Sequence, residues 1–343
     1  MSTPIKSASS LLLNTRFVSP RRPKLLSPLE NKIHYTSTPK RVPKQSLNFS
    51  KELQVQKSVK NNTIQIKVTQ ETDCENSLII DSPYKSELLN YGLSKYDLLY
   101  ILGKGSFGTV IKGNYHGKTV AAKIIKLNKS TDFINESNAL SLHHENIITI
   151  LDIIVSKKYA LVMMEYNKNS KNLQNVIDDA DTVLDRNAIV RFSKDVAKGL
   201  KYCHENNVLH LDIKPKNILL CDNKVCKICD FGNSVKASNA TEMCTFQGTV
   251  AYTAPEILRG KLPNTKSDIY SLAILIWQMI HRKCPYEFLN SEVIIYKVVK
   301  FNFRPPLDTK DETLSQLCCL CWDENLNKRP SAAQIVDLLN NNN

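Results

Sequence analysis

The chain reads as an α+β protein of two lobes, a small β-rich one followed by a larger helical one, behind a disordered N-terminal tail. Three observations carry this. Residues 1–92 are rich in Ser, Thr, Pro, Lys and Asn and poor in aromatics. From Tyr96 the pattern turns to β-branched and aromatic runs broken by glycine, with five of the ten glycines between 103 and 117. After Asn167 apolar residues recur at helical spacing. The expected divisions are therefore 1–92, 93–167 and 168–343.

The tail buries too little apolar surface to offset its ordering entropy, hence the expectation of disorder. Its one alternation, Ile64, Ile66 and Val68 in TIQIKVT, is either a strand docked on a sheet edge or no element at all, and the second reading is favoured. It carries Thr3-Pro4, Ser19-Pro20, Ser27-Pro28, Thr38-Pro39 and Ser82-Pro83. SPRR and TPKR have a basic residue at +3 and resemble sites for proline-directed, cyclin-dependent-type kinases; the two readings are such a kinase as a partner of the tail, or pairs that any Ser/Pro-rich linker makes by chance. Of the net charge of +13, most lies in residues 1–60, with twelve Lys/Arg against two Glu. The basic character thus stops short of the lobes, and no nucleic-acid partner is expected.

No run of about 18 apolar residues exists, so no membrane span is expected. The start, MSTPIKSASSLLLNTRF, has an apolar run too short for a signal-peptide core. The expected location is the cytoplasm, with the ten cysteines reduced. CKIC (226–229) has no second CxxC and no nearby histidine, which argues against zinc. Cys318, Cys319 and Cys321 sit in an apolar stretch and read as helix packing.

In chain order, YDLLYILGKGSFGTVIKGNYHGKTVAAKII reads as strands, with a hairpin turn at YHGKTV. DFINESNALSLHH reads as a helix and KKYALVMMEY as a strand pair running into a linker. Ile189, Phe192, Val196, Leu200 and Cys203 define a long helix, and SDIYSLAILIWQMI another.

Gly103, Gly105 and Gly108 form GxGxxG before Val110. A dinucleotide site would need a helix next, yet TVIKGNYH looks like a second strand. A hairpin flap fits better, with Leu102, Lys104, Ser106, Phe107 and Thr109 between and around the glycines and its N–H groups free to approach phosphates. Lys123 of VAAK lies in an apolar run where a lone ammonium is costly. Glu136, in the next expected helix, is spaced to pair with it and hold the amine against phosphates.

HLDIKPKN (210–217) adds Asp212 to accept the proton of an attacking hydroxyl, Lys214 to neutralise charge on the transferring group, and Asn217 to offer an oxygen to Mg2+. Asp230 of DFG is the second expected metal ligand, and GTVAYTAPE closes the segment. Phosphoryl transfer depends on positioning and charge stabilisation, and these five motifs in order supply both. They point to a protein kinase with ATP and Mg2+ as cofactors and a protein as substrate.

Residues 96 to about 340 resemble the eukaryotic protein kinase domain. That resemblance implies the bilobal kinase fold, a gatekeeper at Met164, a hinge at Glu165–Asn167, and Val110, Ala121 and Leu219 around the adenine. It also implies a spine of Leu140, His210 and Phe231, a Glu256–Arg329 pair, and Asp268 bracing the catalytic loop. Lys214 in DxKxxN and Thr249 before the APE look like the serine/threonine version. Cys229, next to Asp230, is expected to face the nucleotide pocket.

HLDIKPKNILL, VCKICDFGNS, GTVAYTAPEIL, DIYSLAILIWQM and NLQNVI are similar to the Mos kinases. Departures are Cys229, where vertebrate members tend to carry serine, and SVKASNATEMCTFQ, which is only loosely similar. The resemblance implies a MAP kinase kinase kinase that phosphorylates and activates a MAP kinase kinase in oocyte meiotic maturation. Another serine/threonine kinase with different substrates, or a pseudokinase scaffold, stays open, though the intact Asn217 and Asp230 stand against the scaffold. Leu211 replaces the usual arginine beside Asp212, removing a cation that needs an activation-segment phosphate to neutralise it. Ser234, Ser238, Thr241, Thr245, Thr249 and Thr253 are the hydroxyls of that segment.

Overall fold

The computed structural model describes residues 100–105, 108–127, 133–155, 159–242 and 248–341. The tail with its TIQIKVT stretch and Ser/Thr-Pro pairs, and the flap residues Ser106 and Phe107, lie outside the described residues.

Alternating β-branched and small residues build the first sheet. Its strands are β1 (Tyr100–Gly105), β2 (Gly108–Tyr115), β3 (Lys118–Lys126), β4 (Ile150–Val155) and β5 (Tyr159–Glu165), in the order β1-β2-β3-β5-β4 and all antiparallel. KKYALVMMEY therefore supplies one strand, β5, and the expected pair is corrected: its hairpin partner is β4, from the preceding segment. The β2–β3 turn is His116-Gly117, both at positive φ (50° and 77°), the turn whose twist matches that of the strands. Side chains alternate across β3. Val120 and Ala122 join Ile111, Leu161 and Met163 on the outer side, while Ala121 and Ile125 join the main core. Lys123 shares the inner register.

The helix expected over DFINESNALSLHH is one turn, α1 (Ile134–Ser137). Asn135 donates its side-chain amide to the Gly232 carbonyl, Asn138 donates to Ser234, and Ser137 Oγ donates to the Ile134 carbonyl. Asn and Ser side chains that bond in this way compete with helical bonding, and residues 138–141 leave as turns. The expected spine is corrected for the same reason. Leu140 is 41% exposed, and Ala139 and Leu142 take the buried positions instead. His210 and Phe231 do meet edge to face, centroids 4.8 Å apart.

The larger lobe holds α2 (Leu173–Asp178), α3 (Arg186–Glu205), α4 (Pro255–Leu258), α5 (Thr265–His281), α6 (Ser291–Phe301), α7 (Glu312–Cys321) and α8 (Ala332–Asn341). Short strands lie under the cleft: β6 (Lys171–Asn172), β8 (Ile218–Leu220) and β9 (Cys226–Ile228) form one sheet, β7 (Val208–Leu209) and β10 (Val235–Lys236) another. Asp185 caps α3 by accepting from Ala188 N–H, and the five apolar residues read from the sequence are all buried along it. α5 opens with an Asn264/Ser267 capping box and is buried from Ser267 to Met279. A helix apolar all round belongs inside a core; α3 and α7 pack on it. Cys318 and Cys321 are buried on α7, whereas Cys319 is exposed, which corrects part of that expectation.

Gly199 lets α3 approach the segment before β4. A Cβ there would stand 2.7 Å from the Asn146 carbonyl oxygen and 2.8 Å from Ile228 Cδ1. Gly199→Ala is therefore expected to destabilise the fold by about 1–3 kcal/mol, despite the better helix propensity of alanine. Thermal melting followed by circular dichroism should show a midpoint several degrees lower; an unchanged or higher midpoint contradicts the close packing.

Candidate active site

The register of β3 sends Lys123 inward, and α1 brings Glu136 to meet it. Both are buried, and Lys123 Nζ donates to Glu136 Oε1 and, at 2.6 Å, to Asp230 Oδ1. Burial alone would lower the amine's pKa; the Glu136 and Asp230 carboxylates outweigh it and hold the ammonium above the ordinary lysine range. Asp230 sits at φ 65°, a conformation costly for a non-glycine residue, so the ion pair holds a strained backbone in place.

The catalytic loop leaves β7 and ends in a 3-10 turn, Pro215–Asn217. Asp212 Oδ2 accepts from Lys214 Nζ at 2.7 Å and from Asn217 Nδ2 at 3.0 Å. Its Oδ1 accepts from Thr249 Oγ1 at 3.0 Å, and Lys214 also donates to that hydroxyl at 2.8 Å. Four of the predicted residues, Asp212, Lys214, Asn217 and Thr249, are thus locked into one network. The contact between Thr249 and Asp212 was not read from the sequence; 37 positions separate the two.

Beneath the loop lies Asp268, fully buried on α5. It accepts from Leu211 N–H at 2.7 Å, His210 N–H at 3.0 Å and the His204 ring at 2.9 Å. Burial would raise this carboxyl; the His204 hydrogen bond and charge, with the Leu211 N–H, more than offset that and hold it below the ordinary carboxylate range. Glu256 and Arg329 form a buried two-pronged pair at 2.9 and 3.0 Å.

A cleft of about 1190 Å³ separates sheet and helices. Leu102, Gly103, Gly108, Val110, Ala121, Met164, Glu165, Asn167 and Leu219 line it together with Lys123, Glu136, Lys214, Asn217 and Asp230. Gly108, at φ 142°, would place a Cβ 2.0 Å from the Ile124 carbonyl oxygen, so only glycine passes there. Lys104, Gly105 and Thr109 belong to β1 and β2. The Glu165 carboxylate is engaged by Thr149 N–H and Lys227, so at this position the backbone is what remains for a ligand. Asn167 Nδ2 is buried with no partner, as expected of a donor awaiting an acceptor.

Cys229 lines the cleft, but its thiol donates to the Asn217 carbonyl at 3.2 Å, and burial pushes its pKa up to about 12. Of the six segment hydroxyls, Ser234 is buried against Asn135 and Asn138, Thr249 is in the Asp212 network, and Thr253 is buried on the Thr249 carbonyl. These three hydroxyls are already hydrogen-bonded within the fold. Ser238 is exposed; the side chains of Thr241 and Thr245 are not among those described.

Residues 96–338 match the protein kinase domain family. The chain is 35% identical to "Serine/threonine-protein kinase mos" of Patiria pectinifera, over 71% of this chain and 74% of that one. It is 33% identical to the protein of the same name from Gallus gallus, over 71% and 79%, and 34% identical to "Proto-oncogene serine/threonine-protein kinase mos" of Rattus norvegicus, over 68% and 77%. The chain belongs to the protein kinase family, as a Mos-like serine/threonine kinase. Kinases of this family use ATP and a divalent metal and act on protein substrates. Among the described residues of the kinase, no helix is long and apolar enough to cross a membrane.

Two outcomes are expected from this geometry. A folded-state carboxyl held low contributes stability that is complete above the unfolded value, about 3.9, and fades as pH falls through the native one. Asp268→Asn should therefore cost about 3–5 kcal/mol at neutral pH, lower kcat, and flatten the acid limb of the stability curve. Urea unfolding at several pH values reads this; an acid limb of unchanged steepness refutes it. Secondly, thiol labelling with iodoacetamide at pH 7.5 should modify the exposed Cys284 and Cys319 while leaving Cys229 intact, because the thiolate is the nucleophile. Mass spectrometry finding Cys229 among the first sites labelled contradicts the assigned thiol environment.

Proposed function

We propose that the cleft holds ATP under the β1–β2 flap and that Asp212 takes the proton of an acceptor serine or threonine hydroxyl as the γ-phosphoryl group transfers. The observation that carries this is the convergence of Lys123, Asp230, Asn217 and Lys214 on one cleft, with Asp212 hydrogen-bonded to the last two. Met164 and Leu219 flank the adenine space, and the unpartnered Asn167 amide supplies a donor at its edge. Lys123, kept charged by Glu136, aims an ammonium at the phosphates. Lys214 offsets charge that builds on the transferring group.

Asn217 and Asp230 would hold Mg2+. Among the described residues no cluster of three or more His, Cys, Asp or Glu exists. One carboxylate plus one amide oxygen, completed by substrate phosphates and water, suits magnesium. The ion neutralises phosphate charge when bound.

The likeness to Mos kinases supports a finer reading: a cytoplasmic MAP kinase kinase kinase that activates a MAP kinase kinase in oocyte meiosis. Free thiols at every described cysteine agree with a reducing compartment.

Asp212→Asn and Asp230→Asn should each lower kcat at least about 100-fold, because proton acceptance and metal holding act in the transition state. Labelled-ATP transfer to a purified MAP kinase kinase and to a generic protein is the measurement, with circular dichroism confirming folded variants. Full activity in both variants refutes the site assignment. Transfer to the generic protein alone refutes the MAP kinase kinase reading and leaves the site standing.

A further inference from the structure

The turn Pro215–Asn217 is pinned at both ends, since Pro215 and Asn217 are buried, and between them Lys216 projects into solvent at the mouth of the cleft. β6 packs on this turn and carries Lys171, also exposed and also lining the mouth. Among the described residues neither lysine forms an ion pair or a side-chain hydrogen bond. None of the nearby carboxylates forms an ion pair with either lysine, although the Asp179 charge acts on Lys171 at longer range. Asp212 is taken up by Lys214, Asn217 and Thr249. Asp178 accepts from Gln174 Nε2 at 2.8 Å. Asp179 accepts from the Thr182 hydroxyl and the Asp181 N–H.

These two exposed lysines, held in no ion pair, line the same cleft as Lys214 and Asn217, the side-chain partners of Asp212. We propose that Lys216, assisted by Lys171, selects acceptor segments that carry a carboxylate close to the phosphorylated residue and rejects segments with lysine or arginine there. Lys216 is then a specificity-determining residue, acting on the substrate through charge while the transfer chemistry stays with Asp212. The attraction is between exposed groups, so it is modest and sensitive to salt. Two cations against one carboxylate should give about a fivefold preference for Asp over Asn at low ionic strength. The discrimination against Lys should be larger, because attraction is replaced by repulsion. The proposal rests on Asp212 being the group that meets the acceptor hydroxyl.

The test uses the full-length kinase and a set of peptides with one serine, in which a single Asp, Asn or Lys is walked from five residues before the serine to five after. The readout is the ratio of kcat/KM between members of a set. The wild type is expected to favour Asp over Lys at one or more positions by about tenfold or more, with the ratio shrinking in 0.5 M salt. Lys216→Glu should invert the ratio at those positions, Lys216→Arg should keep it, and Lys171→Glu should reduce it. Lys216 is exposed, so folding is not at issue. A wild-type ratio near one at every position, or a ratio that Lys216→Glu leaves unmoved, overturns the proposal. An Asp212→Asn variant that transfers phosphate as well as the wild type overturns the siting of the acceptor and this proposal with it, an outcome distinct from transfer without charge preference.

Discussion

The loop that carries Asp212 hangs from one buried carboxylate. Asp268 lies inside α5, the helix that the other helices pack around, and it accepts from two consecutive backbone N–H groups of the loop and from the His204 ring. Hydrogen bonds to a charged acceptor are worth about 1.5–3 kcal/mol each, more than neutral ones. Leu211, whose N–H it takes, sits at φ 62°. A left-handed residue with a side chain costs about 1–2 kcal/mol, and the charged bond at 2.7 Å offsets it. The strained backbone then holds Asp212 where Lys214, Asn217 and Thr249 converge on it.

The second constraint runs between sheet and helices. Lys123 is shared by Glu136 and Asp230, so a single ammonium ties β3 to α1 and to the DFG segment. α1 is too short to be stable alone. Its position comes from outside: Asn135 bonds to Gly232, and Asn138 and the Asn135 carbonyl bond to Ser234. The acidic partner of Lys123 is thus placed by the same segment that carries Asp230, which couples the two halves of the phosphate site.

Leu211 gains a structural reading from this. Its side chain is buried, where an arginine would bring a charge that is costly to bury without a partner. Three segment hydroxyls are themselves hydrogen-bonded: Ser234 to the Asn135 carbonyl, Thr249 to Asp212 and Thr253 to the Thr249 carbonyl. Among the described residues, side-chain hydrogen bonds tie Ser234 to Asn135 and Asn138 and Thr249 to Asp212.

The residues themselves determined the two-lobed α+β layout, the hairpin at His116-Gly117, the helices α3 and α5, and the order of the phosphate-handling motifs. Each of these rests on a local signal, a period of two or 3.6 or a short run with obligatory chemistry, which the chain displays within a few residues. The tertiary structure alone decided the one-turn length of α1, the outward turn of Leu140, the closing of the Asp212 network by Thr249, and the loss of Ser234 as a free hydroxyl. Those depend on partners far along the chain: Asn138 meets Ser234 across 96 positions, and Lys123 meets Asp230 across 107. Local propensity is a weak energy that a few buried hydrogen bonds outweigh, so where such partners exist the packed structure, and not the local pattern, sets the outcome.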